Sequence, residues 1–458
     1  MIGKYKPYPE YKDSEIEWLG AVPSHWKVCR IKNVATINPS KSEIRGLPAD
    51  SKVSFIPMEA IGERGELDAS RVKTLSAVLT GYTYVADGDI MIAKITPCFE
   101  NGKGAIAKNL TNGIGFATTE VIPIRPELSL DTGFLFYVLN CNPFKFIAES
   151  SMYGAGGQKR VADSFVAKYH LSFPPKSERV QIANFLDYET TKIDTLIEQQ
   201  QQLIQLLKEK RQTVISHSVT KGLNPNAKMR ASGIDWLGQI PNEWTVTKIK
   251  YIAELTPKKS EIEKNKDRVC SFIPMEKLKA DLLILDETRL IEEVFDGYTY
   301  FRNEDILMAK VTPCFENKNM VVARGLVNGV GFGSSEIYVL RAKVTSLNDF
   351  LYYRLQEDVF MEIAAGAMTG AGGLKRVPSE FLNNFQIALP PKAERLEIVE
   401  YIRDYTRKFD TLVEKAQSAI GLMQERRTAL ISAAVTGKID VRSWGVPQAS
   451  QTNKEVAA

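Results

Sequence analysis

Long apolar runs are missing from this sequence. None approaches the ~20 residues that a membrane-spanning helix needs. The first ten residues, Met1 to Glu10, are polar and include prolines, without the apolar core of a signal peptide. Cysteine is scarce. The five thiols, Cys29, Cys98, Cys141, Cys270 and Cys314, form no CxxC pair, and an odd count argues for a reduced, intracellular chain. A cytoplasmic location is therefore expected. Histidine is scarcer still: His25, His170 and His217 stand too far apart for zinc-ligand spacing, so no metal site is expected. An excess of one charge is also missing. The 59 basic and 55 acidic residues leave a net charge of +4, so any anion-binding surface must come from local clustering.

What the sequence does contain is itself, twice. Phe55-Ile56-Pro57-Met58-Glu59 returns as Phe272-Ile273-Pro274-Met275-Glu276, and Gly81-Tyr82-Thr83-Tyr84 as Gly297-Tyr298-Thr299-Tyr300. Ala93-Lys94-Ile95-Thr96-Pro97-Cys98-Phe99-Glu100-Asn101 returns as Ala309-Lys310-Val311-Thr312-Pro313-Cys314-Phe315-Glu316-Asn317. Gly154-Ala155-Gly156-Gly157-Gln158-Lys159-Arg160 returns as Gly370-Ala371-Gly372-Gly373-Leu374-Lys375-Arg376. The period is far longer than the 20–50 residues of a solenoid repeat. It is a two-domain stretch of chain repeated once, which predicts an intramolecular pseudo-dimer about a pseudo-two-fold axis.

Each half divides in two. From about Lys27 to Pro174, short β-like runs (Val53–Met58, Asp89–Ile95, Glu120–Ile124) alternate with Gly and Pro breaks, and a helix-like segment lies near Asp131–Leu139. This predicts a compact α/β domain. After Pro174-Pro175, the run from Glu178 to about Val219 holds no Pro or Gly. Ile193, Leu196, Gln200, Leu203, Leu207, Lys210 and Val214 step by three and four, the spacing of a heptad seam. Phe409, Leu412, Ala416, Ala419, Met423, Arg426 and Leu430 repeat those steps. A helix this long must bury its stripe on a partner. The two copies are expected to pair, antiparallel, through Ile193, Leu196, Leu203, Leu207 and Val214 on one and Phe409, Leu412, Met423 and Leu430 on the other. The expected partition is 1–174 and 223–390 for the two domains, 175–222 and 391–440 for the helices, and 441–458 for a flexible tail.

Two motifs suggest contact with an anion. The glycines of 154–157 and their copies let backbone N–H groups approach a phosphate, and the adjacent Lys159-Arg160 and Lys375-Arg376 add charge. The alternative is a glycine turn with solvated charges. Lys94, Thr96, Asn101 and Lys103, with Lys310, Thr312, Asn317 and Lys318, could line a groove edge, or the turn could be structural, with Cys98 and Phe99 in the core. Tyr82, Tyr84, Tyr298 and Tyr300 read as packing residues. Ala60–Thr80 and Lys277–Asp296 have little in common, and such divergent stretches are where base contacts are expected.

Catalytic patterns are sparse. Asn142-Pro143-Phe144 has the look of the Asn-Pro-Pro-aromatic loop of adenine methyltransferases, but the second proline is missing and the copy, Glu357-Asp358-Val359-Phe360, does not keep it. Asp89 with Lys94 is half of a nuclease pattern, with Ile92 where the second acid is needed. No Cys/His or Ser/His pairing stands out. The chain is expected to carry no catalytic site.

Taken together, the sequence closely resembles the specificity subunit of type I restriction–modification enzymes. The resemblance rests on Trp18-Leu19-Gly20 with Pro23 and Trp26, and on Trp236-Leu237-Gly238 with Pro241 and Trp244. It rests too on the Thr-Pro-Cys-Phe-Glu-Asn turns, the glycine loops, and the Pro-Pro boundaries followed by Ile193–Glu198 and Phe409–Glu414. It implies two α/β target recognition domains, each reading half of a bipartite, gapped DNA site. It further implies two long antiparallel, coiled-coil-like helices that set the spacing and dock methyltransferase subunits, through which restriction subunits join. S-adenosylmethionine, magnesium and ATP would belong to those partners. The likeness of the two domains adds an expectation of similar half-sites in inverted order. The alternatives are a subunit of a type IIB-like restriction system, or a scaffold that binds only protein.

Overall fold

The computed structural model describes residues 5–128, 131–155 and 157–445. It divides into two compact units, Met1–Gln200 with Ser418–Ala458, and Gln201–Gln417. Each is built on one repeat.

In the first unit, one four-stranded sheet runs in the order Val72–Thr74, Lys52–Ile56, Ile114–Ala117, Thr83–Ala86. Its central pair is parallel, with Phe55 opposite Phe116, and the flanking pairs are antiparallel. A second sheet, antiparallel throughout, orders Ala35–Ile37, Val121–Pro126, Ile90–Ala93 and Gly104–Ile106. The strand Ile90-Met91-Ile92-Ala93 is apolar at every position because both its faces are covered. Ile90 and Ile92 join a core shared with helices, while Met91 joins a core that also takes Ile56 and Val85 from the other sheet. The helix Thr132–Asn140 lies where the sequence expected one.

The second unit repeats both four-stranded sheets in the same order and adds a short antiparallel pair, Leu278–Lys279 with Leu282–Leu283. Its sheets are Thr288–Leu290, Val269–Ile273, Val330–Gly333, Thr299–Arg302, and Ala253–Leu255, Ile337–Ala342, Ile306–Ala309, Met320–Val322. Tyr84 and Tyr300 are core residues, as expected.

The long helices span Lys176–Lys221 and Lys392–Val435. Each starts directly after a Pro-Pro pair, which can donate no backbone hydrogen bond and needs none there. Each has a glycine with left-handed backbone just past its end, Gly222 at φ +77° and Gly437 at φ +74°. The first helix, with its 46 residues, is about 69 Å long at 1.5 Å per residue.

Within each unit, halves of the two helices lie antiparallel. In the first unit Asp194 meets the Nε of Arg427 at 3.1 Å, while Gln181 donates to the Trp444 carbonyl. In the second, Arg211 meets Asp410 at 3.4 Å, and Ile215 and Val219 share a core with Ile398 and Ile402.

The seam differs from the expected one by half. Ile193, Phe409 and Leu430 are buried, and Leu207, Val214 and Met423 are half-buried. Leu196, Leu203 and Leu412, however, are 41%, 42% and 47% exposed. The second column of the seam lies one residue later, at Ile197, Ile204 and Arg211, and at Val413, Ile420 and Arg427. A three-four step can run along either column, and the choice falls to what the rest of the unit covers. The arginines at the seam are tolerated because each meets an aspartate: Arg427 is paired with Asp194, and Arg211 with Asp410 and Asp281.

The N-terminal segment completes the first unit. Glu178, in the first turn of the long helix and 5% exposed, accepts hydrogen bonds from Trp26 Nε1 at 2.9 Å and from the Tyr8 hydroxyl, and pairs with His25 Nε2 at 2.9 Å. Tyr11 donates to the Gly437 carbonyl at 2.9 Å, and the Asp440 amide to the Lys6 carbonyl at 2.8 Å. Of the expected tail, Val441 is buried and Trp444 lies edge-on to Phe185, 5.4 Å between ring centroids. Residues 446–458 lie outside the described residues.

Candidate nucleic-acid interface

The two motifs singled out in the sequence come together in space. The glycine stretch forms a hairpin of Tyr153–Ala155 and Gln158–Arg160, repeated as Thr369–Ala371 and Leu374–Arg376. Gly372 and Gly373 both adopt positive φ, +63° and +81°, the backbone of a tight two-residue hairpin turn. In the first copy Gly157 has φ +79°, and Gly156 lies outside the described residues. A side chain at Gly154 would place its Cβ 2.4 Å from the Gln158 carbonyl oxygen, so only glycine fits there.

The Lys94–Asn101 segment holds this hairpin along its second strand, from Gly157 in the turn to Arg160. The Thr96 hydroxyl donates to the Gly157 carbonyl at 2.7 Å and accepts from the Lys159 amide at 3.0 Å. The backbone adds Thr96 N–H to Lys159 C=O at 3.0 Å and Val161 N–H to Lys94 C=O at 2.9 Å. The second copy repeats the arrangement. Thr312 donates to Gly373 at 2.6 Å and accepts from Lys375 at 3.0 Å.

The Lys-Arg pair then splits by role. Arg160 forks onto Glu120, Nε to Oε2 at 2.9 Å and Nη2 to Oε1 at 2.8 Å, and Arg376 onto Glu336 at 2.8 and 2.9 Å. These hydrogen bonds hold the Glu120 and Glu336 carboxyls below the usual carboxylate range. The charges of Arg160 and Arg376 are thus neutralised within the domain. Lys159 and Lys375 are exposed and make no ion pair among the described residues.

The remaining candidates sort the same way. Lys94 is half-buried beside Glu120, and Lys310 lies 5.2 Å from the centre of the Tyr338 ring. Lys103 donates to the Met58 carbonyl at 3.2 Å, and Lys318 to Asp358 at 2.8 Å and to the Gln356 carbonyl at 2.9 Å. Asn101 and Asn317 are exposed, while Phe99 and Phe315 are buried beneath their turns. Of the expected contacts, then, Thr96, Thr312, Arg160, Arg376, Lys103 and Lys318 have internal partners. Lys159, Lys375, Asn101 and Asn317 are exposed, as are Gly157, Gly372 and Gly373, although the Gly157 and Gly373 carbonyls are taken by Thr96 and Thr312.

The divergent stretches are partly spent on the helices. Arg64 reaches Asp194 at 3.6 Å in the first unit, and Asp281 meets Arg211 at 2.6 Å in the second. The same joint is made twice with the charges reversed. Asp89, the half nuclease pattern, is fully buried and clamped by Arg125 at 2.6 and 2.8 Å, as Asp305 is by Arg341 at 2.7 Å. Sequence reasoning missed Glu120, Glu336 and Glu178. The first two stand at the common 216 spacing, which pairs them once the repeat is aligned.

No helix among the described residues is long and apolar enough to cross a membrane, and no group of three or more His, Cys, Asp or Glu is placed to hold a metal ion.

Residues 23–206 and 241–420, about four-fifths of the chain, match the Type I restriction modification DNA specificity domain. Over 181 residues the chain is 39% identical to the type I restriction enzyme EcoEI specificity subunit of Escherichia coli, and over 218 residues 36% identical to the EcoAI specificity subunit. These matches cover 39% and 45% of the chain but only 30% and 36% of the relatives, about a third of their length. The Escherichia coli EcoDI specificity subunit is 19% identical over 437 residues, 92% of this chain and 90% of that one. Among solved structures, a chain from a study of assembly and conformational transition in a type I R-M system superposes with a TM-score of 0.69 at 15% identity, over 91% of this chain and 99% of that one. The HsdS subunit from Thermoanaerobacter tengcongensis gives 0.53 at 14% identity, over 91% and 98%. At these identities the superpositions establish the fold.

Proposed function

The chain belongs to the type I restriction–modification DNA specificity family, and from that premise we propose that each of its repeats binds one half of a bipartite, gapped DNA site. The observation that carries this reading is the twice-built glycine hairpin. It is fastened at its turn and second strand by Thr96 or Thr312, its arginine is neutralised by a glutamate, and one exposed lysine makes no ion pair among the described residues. A phosphate backbone is the natural partner of a lysine held outward on a rigid ribbon. The long helices set the distance between the half-sites and offer docking surface to methyltransferase subunits, through which restriction subunits join. The chain itself performs no chemistry. S-adenosylmethionine, magnesium and ATP are carried by those partners, and any base flipping is theirs. Because the two domains are built alike, the half-sites are similar and inverted, giving a partly palindromic target.

The test is methylation sequencing of a strain with and without this gene, joined to binding of the chain–methyltransferase complex to duplex DNA across salt concentrations. A bipartite methylated motif that vanishes with the gene, and an affinity that falls steeply with salt, are expected. Methylation unchanged by the deletion refutes the reading.

A further inference from the structure

The hairpin has two faces, and only one of them differs between the copies. Residues directly opposite in an antiparallel pair share a face, and neighbours along a strand alternate. The pairings Tyr153–Arg160, Gly154–Lys159 and Ala155–Gln158 therefore put Tyr153, Ala155, Gln158 and Arg160 on one face and Lys159 on the other. In the second copy Thr369, Ala371, Leu374 and Arg376 share a face, opposite Lys375. Everything that fastens the hairpin is the same in both: the glycines, the threonine beneath, the Arg–Glu fork and the lysine. What changes is Tyr153 to Thr369 and Gln158 to Leu374. All four side chains are exposed, Tyr153 by 60% and Leu374 by 56%. Among the described residues, no side-chain hydrogen bond of these four accounts for either difference.

Resting on the DNA-binding reading above, we propose that this ribbon enters a DNA groove, with Lys159 or Lys375 toward a phosphate and the opposite face toward base edges, so that Tyr153 with Gln158, and Thr369 with Leu374, are specificity-determining pairs. A two-stranded β-ribbon fits the major groove of B-DNA. The Gln158 amide carries the donor and acceptor that match adenine N6 and N7, whereas Leu374 has neither and suits a thymine methyl group. The two half-sites then differ where the hairpins reach, and the palindrome breaks at those positions.

The experiment uses the full chain assembled with its methyltransferase subunits, read by methylation sequencing and by relative methylation rates over a set of single-base variants of the site. Two variants are made. Tyr153→Thr with Gln158→Leu gives the first hairpin the second one's variable face. Gln158→Glu alone keeps the volume and removes the donor, which shifts the match toward a cytosine N4 amino group. The expected result is a change of about 5- to 150-fold in discrimination at one or two base positions, confined to one half-site, for both variants. Discrimination unchanged within twofold, or a uniform loss across all base variants, overturns the proposal and leaves the hairpin a phosphate clamp. If the unmutated complex methylates no bipartite motif at all, it is the DNA-binding reading that has failed.

Discussion

Replacing Glu178 with alanine should cost the first unit far more than the equivalent change costs the second. The carboxylate is 5% exposed and serves two buried donors, the indole of Trp26, fully buried, and the hydroxyl of Tyr8, 3% exposed. Alanine leaves both without an acceptor. A buried donor so orphaned costs about 1–3 kcal/mol, and losing an acid from the first helical turn adds about 0.3–1 kcal/mol. The sum is roughly 2–7 kcal/mol, or about 5 °C or more in melting temperature for a unit of this size. Glu394, the first-turn acid at the same place in the second repeat, accepts from a single side-chain donor among the described residues, Trp244 Nε1 at 3.0 Å, so Glu394→Ala should cost only about 1–4 kcal/mol. Glu178→Gln keeps an acceptor for both donors and should cost about 1 kcal/mol or less. Calorimetry of the three variants ranks them, and amide exchange locates the loss. With Glu178 gone, residues 5–26 should lose protection, since Tyr8 and Trp26 anchor that segment to the long helix. Equal melting of the two alanine variants, or full protection of residues 5–26 in Glu178→Ala, would refute the reasoning.

Four further outcomes are expected. Lys159→Ala and Lys375→Ala should weaken DNA binding on every sequence alike, each lowering the slope of log affinity against log salt by about 0.9; an unchanged slope in salt titrations denies the lysines a phosphate contact. Thr96→Val removes two hydrogen bonds from the hairpin's turn and second strand, worth about 1–3 kcal/mol in all. The Lys159 amide should therefore exchange roughly fivefold faster or more, and an unaltered rate would mean the hydroxyl holds nothing. Glu120 and Glu336 have folded pKa values lowered by Arg160 and Arg376, so their contribution is present above the unfolded carboxylate range and lost as pH falls through the folded value. Hairpin protection should accordingly fall on acidification below about pH 4.3 and be insensitive to acidification in Glu120→Gln; a flat pH profile in the unmutated chain contradicts the fork. On the long helix, Ile197→Ala should cost about 2–5 kcal/mol and Leu196→Ala well under 1 kcal/mol, and the reverse order in denaturant melts would restore the seam read from spacing alone.

Much of this molecule is written in its linear order. The repeat, the two proline boundaries, the helices between Lys176 and Lys221 and between Lys392 and Val435, and the column Ile193–Gln200–Leu207–Val214 follow from local pattern. Helix propensity and three-four spacing act over a few residues and need no distant partner. The family is legible for the same reason, since its motifs are short and each appears twice.

Tertiary contacts made the remaining choices. Leu196 and Ile197 serve a heptad equally well on paper, and Ile197 is buried only because the rest of its unit closes over that side of the helix. Arg211 and Arg427 look like surface residues until Asp281, Asp410 and Asp194 arrive from far along the chain. Lys159 and Arg160 are neighbours with the same charge, yet Glu120, forty positions earlier, silences one and leaves the other outward. Charge, burial and hydrogen bonding are settled by whatever lies within a few ångströms, and chain order does not say which residues those will be.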